Sequence, residues 1–151
     1  MIWFCDASAL VKRYIQEVGS RWFRREVDRH TVIIAHITVV EVHAALAARY
    51  RTRTISLFSF YQARHKFADH VKCALYQIQP LTEPIVAIAT ALLPHHPLRA
   101  YDAVQLATAL DYLKMHPAVR PQFCFLTADD QLERAAIAEG LKADNPNRHR
   151  R

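Results

Sequence analysis

Glycine is nearly absent from this chain, with two in 151 residues beside seven prolines. So little of either argues against a flexible or low-complexity protein. Cysteine is scarce too. Cys5, Cys73 and Cys124 form no C-x-x-C pair and no even set, which argues against a disulfide framework. Cys5 and Cys124 lie inside apolar runs and read as buried, reduced thiols. The nine histidines come with no C-x-x-C or H-E-x-x-H spacing, so they do not indicate a zinc site. No apolar run approaches the roughly 18 residues of a membrane span. The start, Met1-Ile2-Trp3-Phe4-Cys5-Asp6, is too short and too soon charged to be a signal peptide. Internal repeats and linkers rich in glycine or serine are also missing. The expectation is a cytoplasmic protein with no membrane contact.

What remains is an ordinary globular composition, 52% hydrophobic and 23% charged, long enough for one domain with a real core. Twenty Lys plus Arg against fourteen Asp plus Glu leave a net charge of +6. A basic balance favours a polyanionic partner such as nucleic acid, although solubility alone would also explain it.

Hydrophobic periodicity divides the chain into short strands separated by helices. Ile2–Cys5 reads as a buried strand, followed by a helix from Asp6 through Tyr14. A second helix is expected over Arg21–Arg29 and a second strand over Thr31–Ala35. A nearly apolar, buried helix follows from Thr38. Leu57, Phe60, Tyr61, Phe67 and Val71 predict a long helix over Ile55–Val71. Ala74–Gln79 alternates weakly as a third strand. Ile85, Ile88, Ala89 and Leu92 mark a helix ended by Pro94 and Pro97, and Ala103 to Leu113 mark another ended by Pro117. Gln122–Leu126 is a strand, Thr127 begins a helix that stops at Gly140, and Leu141–Ala143 closes as an edge strand. Such alternation predicts an α/β domain with a parallel central sheet and helices on both faces.

Four acids, Asp6, Glu41, Asp102 and Asp129, stand at the mouths of helices. Each has a local explanation. Thr38-Val-Val-Glu41 matches a capping box, and an aspartate at a helix N-terminus complements the macrodipole. Together they suggest more. Asp6 follows one apolar strand directly and Asp129 follows Phe123-Cys-Phe-Leu-Thr127 in the same fashion, which places both on one edge of a parallel sheet, where ligands collect. Four carboxylates gathered there need divalent cations to balance them. The chemistry indicated is metal-dependent attack on phosphate.

Asp6-Ala-Ser8-Ala-Leu-Val-Lys-Arg-Tyr14, Val40-Glu41-Val, Leu98-Arg-Ala-Tyr-Asp102-Ala-Val-Gln-Leu-Ala-Thr108-Ala and Leu126-Thr127-Ala-Asp129 occur in that order. The set resembles the PIN-domain ribonucleases, and in size the VapC toxins of toxin–antitoxin pairs. The resemblance covers residues 1–145 as one three-layer α/β/α nuclease domain, leaving 146–151 as a frayed basic tail. It implies that Asp6, Glu41, Asp102 and Asp129 hold Mg²⁺ or Mn²⁺, with Ser8 and Thr127 as supporting polar residues and Asp130 as a lesser candidate. It further implies an RNA substrate, a 5′-phosphate product, a homodimer, and an antitoxin that blocks the acidic cleft, often with an arginine. The apolar stretch Leu57–Phe67 serves equally as antitoxin groove or core.

Hard divalent ions suit this donor set, and a bound ion that lowers the pKa of its water makes a histidine or lysine base unnecessary. Arg99 and the cluster Arg49, Arg51 and Arg53 are candidates for RNA or antitoxin contact. Backbone contacts of this kind position nucleic acid without reading its sequence. Lys12-Arg13 is expected on an exposed helix face, His36 packed or hydrogen-bonded, His43 turned away from Glu41, and Trp3, Phe4, Phe58, Phe60 and Phe67 in the core. Two other readings stay open: an RNA-processing nuclease of the same chemistry without an antitoxin, and a non-catalytic RNA-binding module. A phosphotransfer receiver would need adjacent acids after its first strand and a late lysine, and neither is present.

Overall fold

The structure, a computed structural model, describes residues 1–149. Five parallel strands, β1 (Ile2–Cys5), β2 (Thr31–Ala35), β3 (Gln77–Gln79), β4 (Phe123–Leu126) and β5 (Ala143–Asp144), form one sheet in the order β3-β2-β1-β4-β5. Parallel neighbours require crossovers, and the helices supply them. These are α1 (Ala7–Leu10), α2 (Ser20–Val27), α3 (His36–Arg51), α4 (Leu57–Lys72), α5 (Glu83–Leu92), α6 (Ala100–Met115) and α7 (Asp130–Ala138).

Strand alternation decides the layers. Trp3, Cys5, Val32, Ile34, Cys124 and Leu126 point to one face, where they pack with residues of α1 through α4. Phe4, Ile33, Phe123 and Phe125 point to the other, against α5, α6 and α7. Both faces are therefore apolar, as a covered parallel sheet demands. Ile2 lies opposite Thr31 on one side and Phe123 on the other, so β1 is central. After β1 the chain extends the sheet one way through β2 and β3, and then returns to β4 on β1's other side. That reversal makes the carboxyl ends of β1 and β4 the natural ligand crevice.

Several local expectations shift. The helix after Asp6 is a single α-turn, α1, passing into a 3-10 turn over Val11–Arg13. The helix α3 begins at His36, with Ala35 at its N-cap. Thr38 and Glu41 are thus inside the helix and form no capping box, because the apolar strand runs straight into it. The strand expected from Ala74 starts only at Gln77; Ala74 has φ 54 and belongs to the left-handed exit from α4. Ser56 caps α4 by accepting from the Ser59 amide. The helix expected at Thr127 starts at Asp130, with Asp129 as its cap. Strand β5 is shorter and later than the expected Leu141–Ala143, covering only Ala143–Asp144.

The stretch expected to fray is folded as far as the description reaches. Pro146–Arg148 forms a 3-10 turn. Arg148 pairs with the buried Glu133, and His149 stacks on Trp22 with ring centroids 3.9 Å apart. Arg150 and Arg151, the rest of that stretch, lie outside the described residues. Two further expectations fail on burial. Lys12 is buried, its Nζ donating to Glu17 at 2.8 Å and to the Val18 carbonyl at 2.7 Å, because the 3-10 turn rotates it inward. Phe58 is 74% exposed, since α4 turns Phe60, Ala63 and Phe67 to the core instead. Cys5 and Cys124 are buried free thiols, whereas Cys73 is exposed.

Candidate active site

The crevice at the strand ends is built on Asp6. It leaves β1 in extended conformation and caps α1 by accepting from the Ala9 amide at 3.0 Å. Its carboxylate also faces the Ser8 hydroxyl, 2.8 and 2.9 Å from its two oxygens, and accepts from the Thr127 hydroxyl at 3.0 Å. Thr127 is wholly buried at the end of β4, and its hydroxyl in turn accepts from the Asp129 amide at 3.1 Å. Ser8 accepts from the Ala128 amide at 2.8 Å. Two strand ends 120 residues apart are thereby stitched together through short polar side chains.

The other acids arrive from three helices. Glu41 sits in the second turn of α3, Asp102 in the first turn of α6, and Asp129 at the N-cap of α7. Asp129 accepts from the Gln131 and Leu132 amides at 2.7 and 2.9 Å. All four acids line one open cleft of about 350 Å³, together with Ser8, Arg49 and the exposed Tyr101. No histidine or lysine is among its lining residues.

Burial governs the electrostatics, and the neighbouring carboxylates add to it. Burial pushes the Asp6 carboxyl up to about 7; the Ala9 amide and the Ser8 and Thr127 hydroxyls oppose this, and the Glu41 charge adds to it. Burial raises Glu41 as well, opposed by a hydrogen bond from Gln105 and reinforced by the Asp102 charge. Asp102 is raised by burial and next by the Asp129 charge, with Arg99 offsetting part. The repulsion passes from one acid to the next around the cleft.

Among the described residues, no three His, Cys, Asp or Glu side chains are gathered closely enough to hold a metal ion as they stand. Asp6 and Asp129 are engaged by hydroxyls and amides, and Glu41 by Gln105. The donor set is nonetheless all oxygen, and Asp6, Glu41 and Asp102, raised first by burial and then by a neighbouring acid, would carry charge that a bound cation offsets. That combination fits a hard divalent cation once the side chains turn toward it.

The expected cations separate. Arg49 lines the cleft, and its Nη2 bonds Glu17 at 2.7 Å. Arg51 and Arg53 are exposed beyond it, at the end of α3 and in the turn that follows. Arg99 is exposed at the N-cap position of α6. Asp130 faces Asn145 and Arg148 and takes no part in the cleft lining. His36 is exposed at the start of α3, contrary to expectation, and His43 packs edge-on against Phe67. Sequence reasoning missed Gln105, the buried partner of Glu41. The available signal was a glutamine within an otherwise apolar stretch of helix, three residues past Asp102.

Residues 3–138 match a family model described as PIN domain. No curated protein matches the chain. Among solved structures, FitAcB from Neisseria gonorrhoeae is similar, with 19% identity, TM-score 0.64, and 97% of this chain and 98% of that one covered. A toxin–antitoxin complex from Klebsiella pneumoniae is similar at 15% identity and TM-score 0.60, covering 95% and 96%. VapBC2 from Rickettsia felis, bound to a promoter DNA fragment, is similar at 10% identity and TM-score 0.57, covering 96% and 98%. At such identities the likeness is one of fold.

Proposed function

The chain belongs to the PIN-domain family, whose members are generally nucleases, and from that premise we propose that it is a Mg²⁺- or Mn²⁺-dependent endoribonuclease, the toxin of a type II toxin–antitoxin pair. The observation that carries this reading is the single cleft into which Asp6, Glu41, Asp102 and Asp129 all open. A divalent ion bound there lowers the pKa of its water and offsets charge on the phosphate oxygens.

The chain's own residues do the rest. Asp6 and Asp102 are the principal ion-holding acids, with Glu41 and Asp129 completing the set directly or through water. Ser8 and Thr127 orient the Asp6 carboxylate through their hydroxyls. Arg49, on the cleft wall, attracts the RNA backbone, and the exposed Tyr101 ring at the rim offers a stacking surface to an unpaired base. Hydrolysis leaves a 5′-phosphate and a 3′-hydroxyl. The toxin assignment is supported by the fold likeness to toxin–antitoxin complexes. Leu57, Phe58 and Tyr61, exposed along α4, offer an apolar strip for the antitoxin, and the working form is a homodimer. No helix among the described residues is long and apolar enough to cross a membrane.

Incubation of the purified chain with total RNA, with Mn²⁺ or with EDTA, followed by mapping of new 5′ ends, tests the proposal. Discrete cuts that need the metal and vanish in Asp102→Asn are expected. Cuts that persist in EDTA, or in a folded Asp102→Asn protein, would refute it. A small DNA-binding protein encoded upstream should neutralise the cleavage; cleavage without any such neutraliser would leave an RNA-processing nuclease.

A further inference from the structure

The helices α3 and α6 face each other across the cleft, each carrying a polar pair at i, i+3 spacing, Thr38 with Glu41 and Asp102 with Gln105. Such pairs lie on one side of their helix. Gln105 is 1% exposed, among Ala103, Leu106, Ala107 and Ala109, all equally buried. Its amide nitrogen has two hydrogens and two acceptors: the Thr38 hydroxyl at 2.7 Å and Oε2 of Glu41 at shorter range. Its carbonyl oxygen is buried and has no hydrogen-bond partner among the described residues.

That is an expensive way to join two helices. An unpaired buried carbonyl costs free energy that a leucine or methionine of similar size would not. A buried polar group with an unsatisfied atom calls for a reason beyond packing. Glu41 supplies one. It is a long side chain whose carboxylate meets the repulsion of Asp102, and it also repels Asp6. Unrestrained, it would swing toward water. An amide anchored on Thr38 and donating to one carboxylate oxygen holds it in place.

We propose that Gln105 is a positioning residue that keeps the Glu41 carboxylate in the cleft and so sets how tightly the cleft takes a divalent cation. This rests on Glu41 being one of the cation-holding acids. Gln105 touches neither substrate nor ion; it acts through Glu41, as outer hydrogen-bond partners of ligands generally do.

The test is a Mn²⁺ titration of the melting temperature, run on the full chain beside RNA-cleavage kinetics. Gln105→Met keeps the volume and removes the amide. Its apparent Mn²⁺ dissociation constant should rise about tenfold and its kcat fall, with KM for RNA changed less than about twofold. In a Glu41→Gln background the same substitution should add nothing. Wild-type Mn²⁺ affinity in Gln105→Met, or an equal further loss in the Glu41→Gln background, overturns the positioning role alone and leaves the nuclease reading intact. Unchanged Mn²⁺ affinity in Glu41→Gln removes the cation-holding assignment of Glu41, and the positioning role with it. If Gln105→Met melts too low to titrate, Thr38→Val decides. It frees the amide at its other end and should weaken Mn²⁺ binding in the same direction, and wild-type affinity there overturns the proposal.

Discussion

Replacing Asp6 by asparagine in metal-free protein should make the domain less stable in acid and more stable in mild base. Below the ordinary value of 3.8 the carboxyl is protonated in both folded and unfolded chains and costs nothing. Between 3.8 and about 7 the unfolded chain ionises while the folded one keeps its proton, so stability falls as pH rises. Above about 7 both are ionised and the loss is complete. At about 1.4 kcal/mol per pH unit, the whole interval is worth about 4 kcal/mol. Asparagine avoids that cost but keeps one acceptor for the Ala9 amide, while the Ser8 and Thr127 hydroxyls must turn to accept from its amide. The exchange costs about 1–2 kcal/mol. Wild type should therefore be the more stable protein at pH 4, the two should cross at roughly pH 5, and the variant should lead by about 2–3 kcal/mol at pH 8. Urea denaturation in EDTA at half-unit pH steps measures the difference directly. A difference that stays flat from pH 4 to 8, or a wild type that remains the more stable at pH 8, refutes the picture of a carboxylate whose burial penalises its charge. Saturating Mn²⁺ should reverse the order at pH 8, because only the ionised side chain binds the ion strongly.

The glycines provide a paired test of backbone reasoning. Both have φ +80, but a Cβ on Gly19 would lie 2.3 Å from the Pro146 carbonyl oxygen, whereas one on Gly140 meets nothing within 4 Å. Gly140→Ala should cost only left-handed strain, about 1–2 kcal/mol, and Gly19→Ala more, about 3 kcal/mol, with the Pro146–Arg148 turn loosened; equal melting temperatures would contradict this. Phe125→Ala empties a fully buried site where the ring stacks on Phe4 at 5.5 Å, and should lower unfolding free energy by about 3–5 kcal/mol. A loss under about 1 kcal/mol by urea denaturation would mean the core relaxes more than a covered sheet should. Arg49→Gln should weaken RNA binding and make the log-log salt dependence shallower by about 0.7, while leaving the Mn²⁺ melting shift intact. An unchanged slope would take Arg49 off the RNA path.

Much of the local structure was legible because it is written in short-range patterns. Ile2–Cys5, Thr31–Ala35 and Phe123–Leu126 are compact apolar runs that can be little but buried strands in a chain of this kind, and Pro94 and Pro117 stop helices by chemistry intrinsic to proline. Asp6 and Asp129 could be placed on one edge because Asp6 directly follows such a strand and Asp129 comes three residues after the end of another. Glu41 was harder: a Thr-x-x-Glu spacing reads as a cap only if the helix starts where the hydroxyl stands, and strand β2 running directly into α3 moved that start to His36. Lys12 looked exposed by charge, and is buried because Glu17 and the Val18 carbonyl wait for it after the turn.

Periodicity, caps and breakers, then, determined by themselves which stretches became strands and helices and which acids stood at strand ends, since each depends on neighbours a few residues away. Only the folded arrangement decided that β1 is central, that four helices cover one face, that Arg49 rather than Arg51 or Arg53 lines the cleft, and that Gln105 holds Glu41. Those outcomes depend on sheet order and on side chains meeting across 64 to 121 residues of chain. No local pattern encodes such a meeting, because its energy exists only once the two surfaces are packed together.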